Sequence, residues 1–394
     1  MLSPAETVKA KSHWNPQFSL LLFGLLLSKL GTGIYMLSLP WLAYDLTGSS
    51  LILGSVFAVE MLPYILLMPF GGVLIDKMSR KKIMIVSDVL RCIVLLSVPV
   101  LFGVGLLEVG YIYLLSFSMS VLSFMVEVSL MAIVPTMVPF DHLTRANSHI
   151  QMIENISTLA GPLLAAFLLG AYGTYMTLAL NAFAFLVMAF CVLFINVQEN
   201  KQQVQLQSLI QDAKEGLRYL WGSQTLRIIA WVSILCNLGM GIVLSTLVFY
   251  MRNILQVDEH HTSFVYASIG IFGIVASVVT GPLANRWKKG VLLYSLLFMG
   301  GLVGAVTFAM IPHWITAAIG IGVWAGCIIS INILLNAYKQ EIVENTIFGR
   351  VEGALTSIAY ISFPIAGLLG GYLIEQVGSR DGFGCFSRNH CLSL

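Results

Sequence analysis

The stretch Gly72-Val-Leu-Ile-Asp-Lys-Met-Ser-Arg-Lys-Lys82 is a short basic segment between two long apolar runs. It places one acid and four bases on a connector that is too short to hold a domain. Loops rich in Lys and Arg stay on the cytoplasmic side of a membrane protein. The segment therefore indicates a polytopic membrane protein and predicts that its own loop is cytoplasmic.

The composition agrees with this interpretation. Of the 394 residues, 58% are hydrophobic and 10% are charged, whereas a soluble domain carries about 25% charged residues. A net charge of +2 does not indicate a nucleic-acid partner. The six cysteines have no zinc-site spacing, and the sequence lacks the common catalytic and nucleotide-binding motifs. We expect no enzymatic activity, no cofactor and no metal site.

Apolar runs of about 20 residues predict transmembrane helices, and the chain contains eleven such runs. They cover 18–43, 51–75, 83–107, 109–134, 149–170, 174–197, 226–251, 263–284, 291–311, 314–335 and 353–374. Lys and Arg concentrate in alternate loops, while the other loops hold only Arg252 before the C-terminal tail. The pattern predicts a multi-pass protein of the cell membrane with a cytoplasmic N-terminus.

The chain divides into two halves that repeat. Residues 145–173 and 350–378 align without a gap at an offset of 205, with eight identities. The segment that begins at Gly281 repeats the one at Gly72 at an offset of 209. A polar linker between the halves ends in a predicted amphipathic helix over 209–221. The predicted organisation is a first half over 1–197, a cytoplasmic linker over 198–225, a five-span second half over 226–378 and a polar tail over 379–394.

The second half lacks one span of the repeat. A sixth span should follow Gly378, but the tail there carries Arg380, Asp381 and Arg388 and is too polar to cross a bilayer. We expect a frameshift or truncation shortly after Gly378. The alternative is that a chain without its twelfth helix is an inactive remnant or a membrane scaffold.

The basic segment and the repeat resemble the major facilitator superfamily over residues 17–378. The family pattern Gly-x-x-x-Asp-Arg/Lys-x-x-Arg-Arg/Lys is matched by Gly72, Asp76, Lys77, Arg80 and Lys81. Gly161-Pro162 is similar to the Gly-Pro signature of the superfamily's exporters, although alanines follow where the pattern has glycines. Shorter pieces resemble the branch that holds macrolide-efflux and siderophore (enterobactin) export permeases.

The resemblance implies an all-α membrane fold of two pseudo-repeated six-helix halves, here with the twelfth helix missing. It also implies a secondary transporter that uses a proton or other ion gradient and works by alternating access. We expect a monomer in the lipid bilayer that exports amphipathic small molecules. An importer is the alternative, since the direction of transport rests mainly on Gly161-Pro162.

Three charged residues inside predicted spans are candidates for the substrate and proton pathway: Lys29, Glu60 and Glu127. An intramembrane charge costs about 2.5–3.5 kcal/mol on insertion scales, so each requires a reason. Lys29 could pair with Glu60 or Glu127 and alter its proton affinity; a purely structural ion pair is the alternative. In the superfamily, spans one, four, seven and ten line the cavity, which favours Lys29 and Glu127. The same spans add possible polar lining, with helix–helix contact as the alternative, at Asn237, Ser245, Thr246, Asn332 and Asn336.

Two further groups are candidates for gating. Asp88 and Arg91 are three residues apart on one helix and are expected to touch. Together with Asp76, Arg80 and Lys81 they are expected to form a charged cluster at the cytoplasmic end. The resemblance implies that this cluster is a latch that opens during transport, and simple anchoring of the topology is the alternative.

Gly161-Pro162 is the second gating candidate. Proline removes a backbone donor and permits a kink. The resemblance implies a glycine-lined seam between the halves that blocks leak, and an ordinary proline kink is the alternative.

Overall fold

The structure is a computed structural model that describes residues 16–68, 79–139, 142–196, 206–310, 313–344 and 347–381. This described part is helical and contains no strand. The predicted motif residues Gly72, Asp76 and Lys77 lie outside the described residues, as does the tail over 382–394.

The helices fall into two groups separated by a linker helix. The first group is α1 (Pro16–Thr47), α2 (Ser50–Leu67), α3 (Arg80–Gly103), α4 (Val109–Met137) and α5 (Leu143–Leu193). The linker helix is α6 (Leu206–Gly222). The second group is α7 (Gln224–Phe249) with a π-helical turn at Tyr250–Ile254, α8 (Glu259–Arg286), α9 (Lys289–Met310), α10 (Trp314–Ile342) and α11 (Phe348–Asp381).

Nine described helices are long and apolar enough to cross a bilayer. One of them, Arg145–Leu193, has 49 residues and breaks at Gly173, so it supplies two spans. Gly173 has a φ of 74°, a conformation that glycine adopts at little steric cost. Lys289–Val303 is a shorter apolar helix at the position of the predicted ninth span. Described helices therefore lie at each of the eleven predicted spans, although Lys289–Val303 falls short of the length of the others.

The two halves meet along two helix pairs, α2 with α11 and α5 with α8. In the sequence repeat, residues 145–173 of α5 correspond to 350–378 of α11, and α2 corresponds to α8. The α2–α11 and α5–α8 contacts are therefore equivalent, as expected if a pseudo-twofold rotation relates the two halves. Repeated halves around a central path are a transporter architecture.

Glycines bring α2 and α11 into backbone contact. A Cβ atom at Gly54 would lie 2.1 Å from the carbonyl oxygen of Gly367, and one at Gly371 would lie 2.7 Å from the carbonyl oxygen of Ser50. The Ser50 hydroxyl donates to the Gly371 carbonyl at 3.0 Å. Small residues permit such close crossings in membranes. The contact lies near the α1–α2 loop, on the side of the bundle opposite the basic loops.

The linker helix α6 lies against the start of α11. Glu215 accepts a hydrogen bond from Arg350 at 2.7 Å, and a Cβ atom at Gly216 would lie 2.3 Å from the Arg350 carbonyl oxygen. Leu220 is buried whereas Trp221 is exposed, so the helix has a buried and an exposed face. These contacts attach the linker to the second half.

Candidate functional site

A cavity of about 510 Å³ lies between the two halves. The charged residues that line it all come from the first half and are Lys29, Glu60, Arg91, Glu127 and Glu154. The second half contributes apolar and aromatic side chains, which are Met240, Leu244, Tyr266, Tyr360 and Phe363. A largely apolar cavity with a few convergent polar groups is the usual form of a small-molecule site.

Lys29 pairs with a residue that the sequence analysis does not single out. Its Nζ donates to Oε1 of Glu154 in α5 at 2.8 Å, and the two side chains are 26% and 34% exposed. The expected pairing of Lys29 with Glu60 or Glu127 is therefore wrong, because α1 packs along α5 far more extensively than along α2 or α4. Glu154 lies inside the predicted fifth span, so the criterion that found Lys29 would also have found it.

Glu60 on α2 and Glu127 on α4 both line the cavity. Neither carboxylate has a hydrogen bond or an ion pair with any residue that the structure describes. An isolated charge is costly at membrane depth, so each carboxylate requires a functional reason. The two carboxylates are therefore the groups of the cavity best suited to exchange a proton or a cation.

The predicted contact between Asp88 and Arg91 is present. The Arg91 Nη1 donates to Oδ1 of Asp88 at 3.1 Å. The side chain of Arg91 is 3% exposed and that of Asp88 is 0% exposed. Arg91 also donates to the Thr32 hydroxyl of α1 at 3.0 Å and lies 3.7 Å over the ring of Phe185 in α5. The pair thus ties α3 to α1 and α5 beside the cavity.

The predicted charged cluster at the basic end is divided in two. Arg80 and Lys81 donate to backbone carbonyls of α4 and α5 at 2.9 and 2.8 Å. Arg91 lies three turns further along α3, which at 1.5 Å per residue is about 16 Å deeper. The expectation of one cluster is therefore wrong, since Arg91 lines the cavity and Asp88 pairs with it there. Asp88 lies about two helical turns from Arg80, and Arg91 about three.

Gly161 in α5 contacts α1 of its own half rather than a helix of the second half. A Cβ atom at Gly161 would lie 2.5 Å from the Cα of Gly33 in α1, and the backbone angles stay helical at Pro162. The contact with the second half is made two residues earlier, where a Cβ atom at Gly270 of α8 would lie 3.1 Å from the Cα of Leu159. The motif therefore lies beside the seam between the halves and positions α5 on α1.

The polar residues expected to line the cavity from spans seven and ten do not line it. Asn237 donates to a backbone carbonyl of α11 at 3.2 Å, which is the helix–helix contact given as the alternative. Ser245 and Thr246 bond to a carbonyl of their own helix. Asn332 and Asn336 are exposed on α10.

A charged and aromatic contact joins the halves on the side opposite the basic loops. Arg252, in the π-helical turn after α7, forms an ion pair with Asp45 of α1. Its guanidinium also lies 4.4 Å over the Trp41 ring and 4.8 Å over the Tyr44 ring, a cation–π arrangement. Sequence reasoning missed this contact, although Arg252 stood out as a base on the side that otherwise lacks them. We call Asp45, Arg252, Trp41 and Tyr44 the opposite-side latch.

The comparisons with known proteins agree with this architecture. A family model described as the Major Facilitator Superfamily matches residues 21–367. The chain is 24% identical over 384 residues to the multidrug efflux pump Tap of Mycolicibacterium fortuitum. The alignment covers 92% of this chain and 90% of that protein. It is 21% identical over 381 residues to macrolide efflux protein A of Streptococcus pyogenes. That alignment covers 94% of this chain and 93% of the relative.

Solved structures share the fold at low sequence identity. A mutant of the nucleoside transporter NupG superposes with a TM-score of 0.76 at 14% identity, covering 91% of this chain and 92% of that one. A bacterial homologue of the human lysosomal transporter Spinster, in an inward-facing and unoccupied conformation, gives 0.73 at 12% identity, covering 96% and 88%. Because the family model spans most of the chain and the helices follow its repeated two-half plan, this chain belongs to the major facilitator superfamily of membrane transporters.

Proposed function

We propose that this transporter is a proton-coupled exporter of amphipathic small molecules in the cell membrane. The observation that carries the proposal is the cavity between the halves. There Glu60 and Glu127, whose carboxylates have no ion-pair partner in the part of the chain that the structure describes, lie beside aromatic side chains. Two relatives that match nearly the whole chain are named as multidrug or macrolide efflux proteins, which supports the outward direction. We propose that the protein acts as a monomer, since described residues of a single chain line the cavity from both halves.

Alternating access follows from where the halves touch. The glycine contact at Gly54 and the opposite-side latch hold the halves together on one side of the cavity. We propose that the basic loops are cytoplasmic, which makes this conformation inward-facing. Export then requires these contacts to separate and new contacts to form at the basic end. At that end, we propose that the residues of the Gly72 motif act as the cytoplasmic latch. These residues are Gly72, Asp76, Lys77, Arg80 and Lys81.

Glu60 is proposed as the proton carrier. We expect Glu60→Gln to lower active efflux by about tenfold or more, because a neutral amide cannot bind and release a proton. The measurement is efflux of a fluorescent amphipathic drug from cells, with and without an uncoupler. The matched control is Glu108→Gln, which changes an exposed carboxylate at the start of α4. Full uncoupler-sensitive efflux by Glu60→Gln would exclude this role for Glu60.

The same assay separates the alternatives. If an uncoupler does not reduce efflux by the unchanged protein, transport is not coupled to protons. Accumulation of the compound instead of efflux would favour an importer. Absence of transport for every compound tested would favour an inactive remnant or a scaffold.

The cytoplasmic latch is proposed to be asymmetric, since the repeat has Asn285 where the first half has Asp76. We expect Asp76→Asn to reduce efflux at least about tenfold, because it removes the only acid among the neighbouring bases of that segment. Asn285→Ala is the matched change in the second half and is expected to reduce efflux less than about twofold. Equal losses in the two variants, measured at equal amounts of protein in the membrane, would contradict the asymmetry.

A further inference from the structure

Five aromatic rings form a continuous file that crosses from the first half to the second and back. Phe124 and Tyr64 are 5.7 Å apart between ring centroids, and Tyr64 and Tyr360 are 6.3 Å apart. Tyr360 lies 5.5 Å from Phe363, which lies 6.2 Å from Phe57. All but Phe124 line the cavity. We call these five residues the aromatic file. Its steps from Tyr64 to Tyr360 and from Phe363 to Phe57 both join α2 of one half to α11 of the other.

The charges around the cavity do not cancel. Its two cations already have carboxylate partners in the first half, Lys29 with Glu154 and Arg91 with Asp88. Glu60 and Glu127 have no ion-pair partner among the described residues. The uncompensated charge that the first half presents to the cavity is therefore negative when either carboxylate is ionised.

Glu127 lies beside the Tyr64 end of the aromatic file. It follows Phe124 by three residues on α4, so the two share one helix face, and the Phe124 ring packs against Tyr64. Glu127 also lines the cavity together with Tyr64 and Tyr360, one ring from each half.

We propose that Glu127, Tyr64 and Tyr360 form a recognition site for the positively charged group of a lipophilic cation. A cation gains from the face of an aromatic ring, most strongly where water is excluded, and an unpaired carboxylate supplies the counter-charge. The inference rests on the proposed function and narrows its substrates to cationic amphiphiles. Among the described residues, an anion of the same size would meet carboxylates without ion-pair partners and cations that already have them.

The site also allows one bound substrate to contact both halves. Tyr64 belongs to the first half and Tyr360 to the second, so a bound cation contacts both sides of the seam. A ligand shifts a conformational equilibrium only through different affinities for the two states. A site divided between the halves provides that difference, because their separation pulls Tyr360 away from Tyr64 and Glu127.

The test compares two ions that match in size and shape and differ in charge. Tetraphenylphosphonium and tetraphenylborate are titrated into the purified full-length protein in detergent by calorimetry, without any ion gradient. We expect saturable binding of the phosphonium and at least about tenfold weaker binding of the borate. Glu127→Gln is expected to weaken phosphonium binding by about tenfold, which corresponds to about 1.4 kcal/mol.

Aromatic variants and a remote carboxylate complete the design. Tyr360→Leu is expected to weaken phosphonium binding by about fivefold, and Tyr360→Phe, which keeps the ring, is expected to recover most of that loss. Glu108→Gln, at an exposed carboxylate far along α4 from Glu127, is expected to bind as the unchanged protein does. Gel filtration and thermal unfolding of every variant establish that it is folded before its affinity is compared.

The outcomes distinguish this site from the proposed function. Equal affinity for the two ions, or unchanged affinity in folded Glu127→Gln, overturns the site even if drug efflux in cells continues. Selective phosphonium binding that Glu127→Gln removes supports the site. If that binding is found and cells show no efflux, the proposed function fails while the site stands.

Discussion

Replacing Arg91 by methionine is expected to destabilise the folded protein by about 3–5 kcal/mol, the usual effect of removing one partner of a buried ion pair. The side chain of Asp88 is 0% exposed, and its carboxylate would lose the guanidinium that now neutralises it. The variant would also lose the donation to Thr32 and the contact with Phe185, which hold α3 against α1 and α5. Chemical unfolding of the purified protein in detergent measures the change.

Two variants serve as controls for that result. The double variant Asp88→Asn/Arg91→Met removes both charges, so we expect it to regain much of the lost stability. Lys29→Met breaks an ion pair that water partly reaches, and the destabilisation should be smaller, about 1 kcal/mol. If the double variant is as unstable as Arg91→Met, the cost arises from lost packing rather than from the unpaired charge.

The second large effect is expected from Gly54→Ala. Its new methyl group would lie 2.1 Å from the carbonyl oxygen of Gly367, and a backbone atom cannot move aside as a flexible side chain can. Overpacking of this kind costs about 1–3 kcal/mol. Because Gly54 and Gly367 belong to different halves, the strain acts on the contact that closes the cavity on the opposite side. We expect the variant to favour the conformation that is open on that side and to lose transport.

Accessibility of the cavity measures this shift. Met36 lines the cavity, so Met36→Cys, in a background whose native cysteines are replaced by alanine, reports on access to it. We expect a membrane-impermeant maleimide applied to intact cells to label this cysteine several times faster when Gly54→Ala is present. Gly353→Ala is the matched control, since it changes the same helix as Gly367 where a Cβ atom meets nothing within 4 Å. Equal labelling in both variants would show that the glycine contact does not close the cavity.

Local sequence was sufficient for the membrane fold. Apolar runs of about 20 residues have one stable form in lipid, the α-helix, because every backbone polar group must be paired within the chain. The predicted spans and the repeat between residues 145–173 and 350–378 are properties of consecutive residues. Described helices lie at the predicted spans, nine of these helices are long and apolar enough to cross a bilayer, and the repeated segments make equivalent contacts between the halves. The contact between Asp88 and Arg91 was likewise predictable, since the helix repeat alone places them together.

The pairing of charges between helices was predicted only in part. Lys29, Glu60 and Glu127 could be identified because a charge inside an apolar run is rare and costly, and all three line the cavity. Their partners could not be identified, since which face of α1 meets α5 depends on packing along the whole helix pair. Lys29 therefore joins Glu154 rather than Glu60 or Glu127.

The basic segment at Gly72–Lys82 determined the membrane class, the expected sidedness and the family resemblance, because charge retention and helix length act on residues that are neighbours in the chain. Tertiary structure alone decided that Asp45 and Arg252, 207 residues apart, close the side opposite the basic loops. It also decided that Tyr64 and Tyr360 meet across the seam. These contacts depend on how two halves dock through glycines at α2 and α11, and no local pattern of charge or hydrophobicity encodes the distance between residues on separately folded helices.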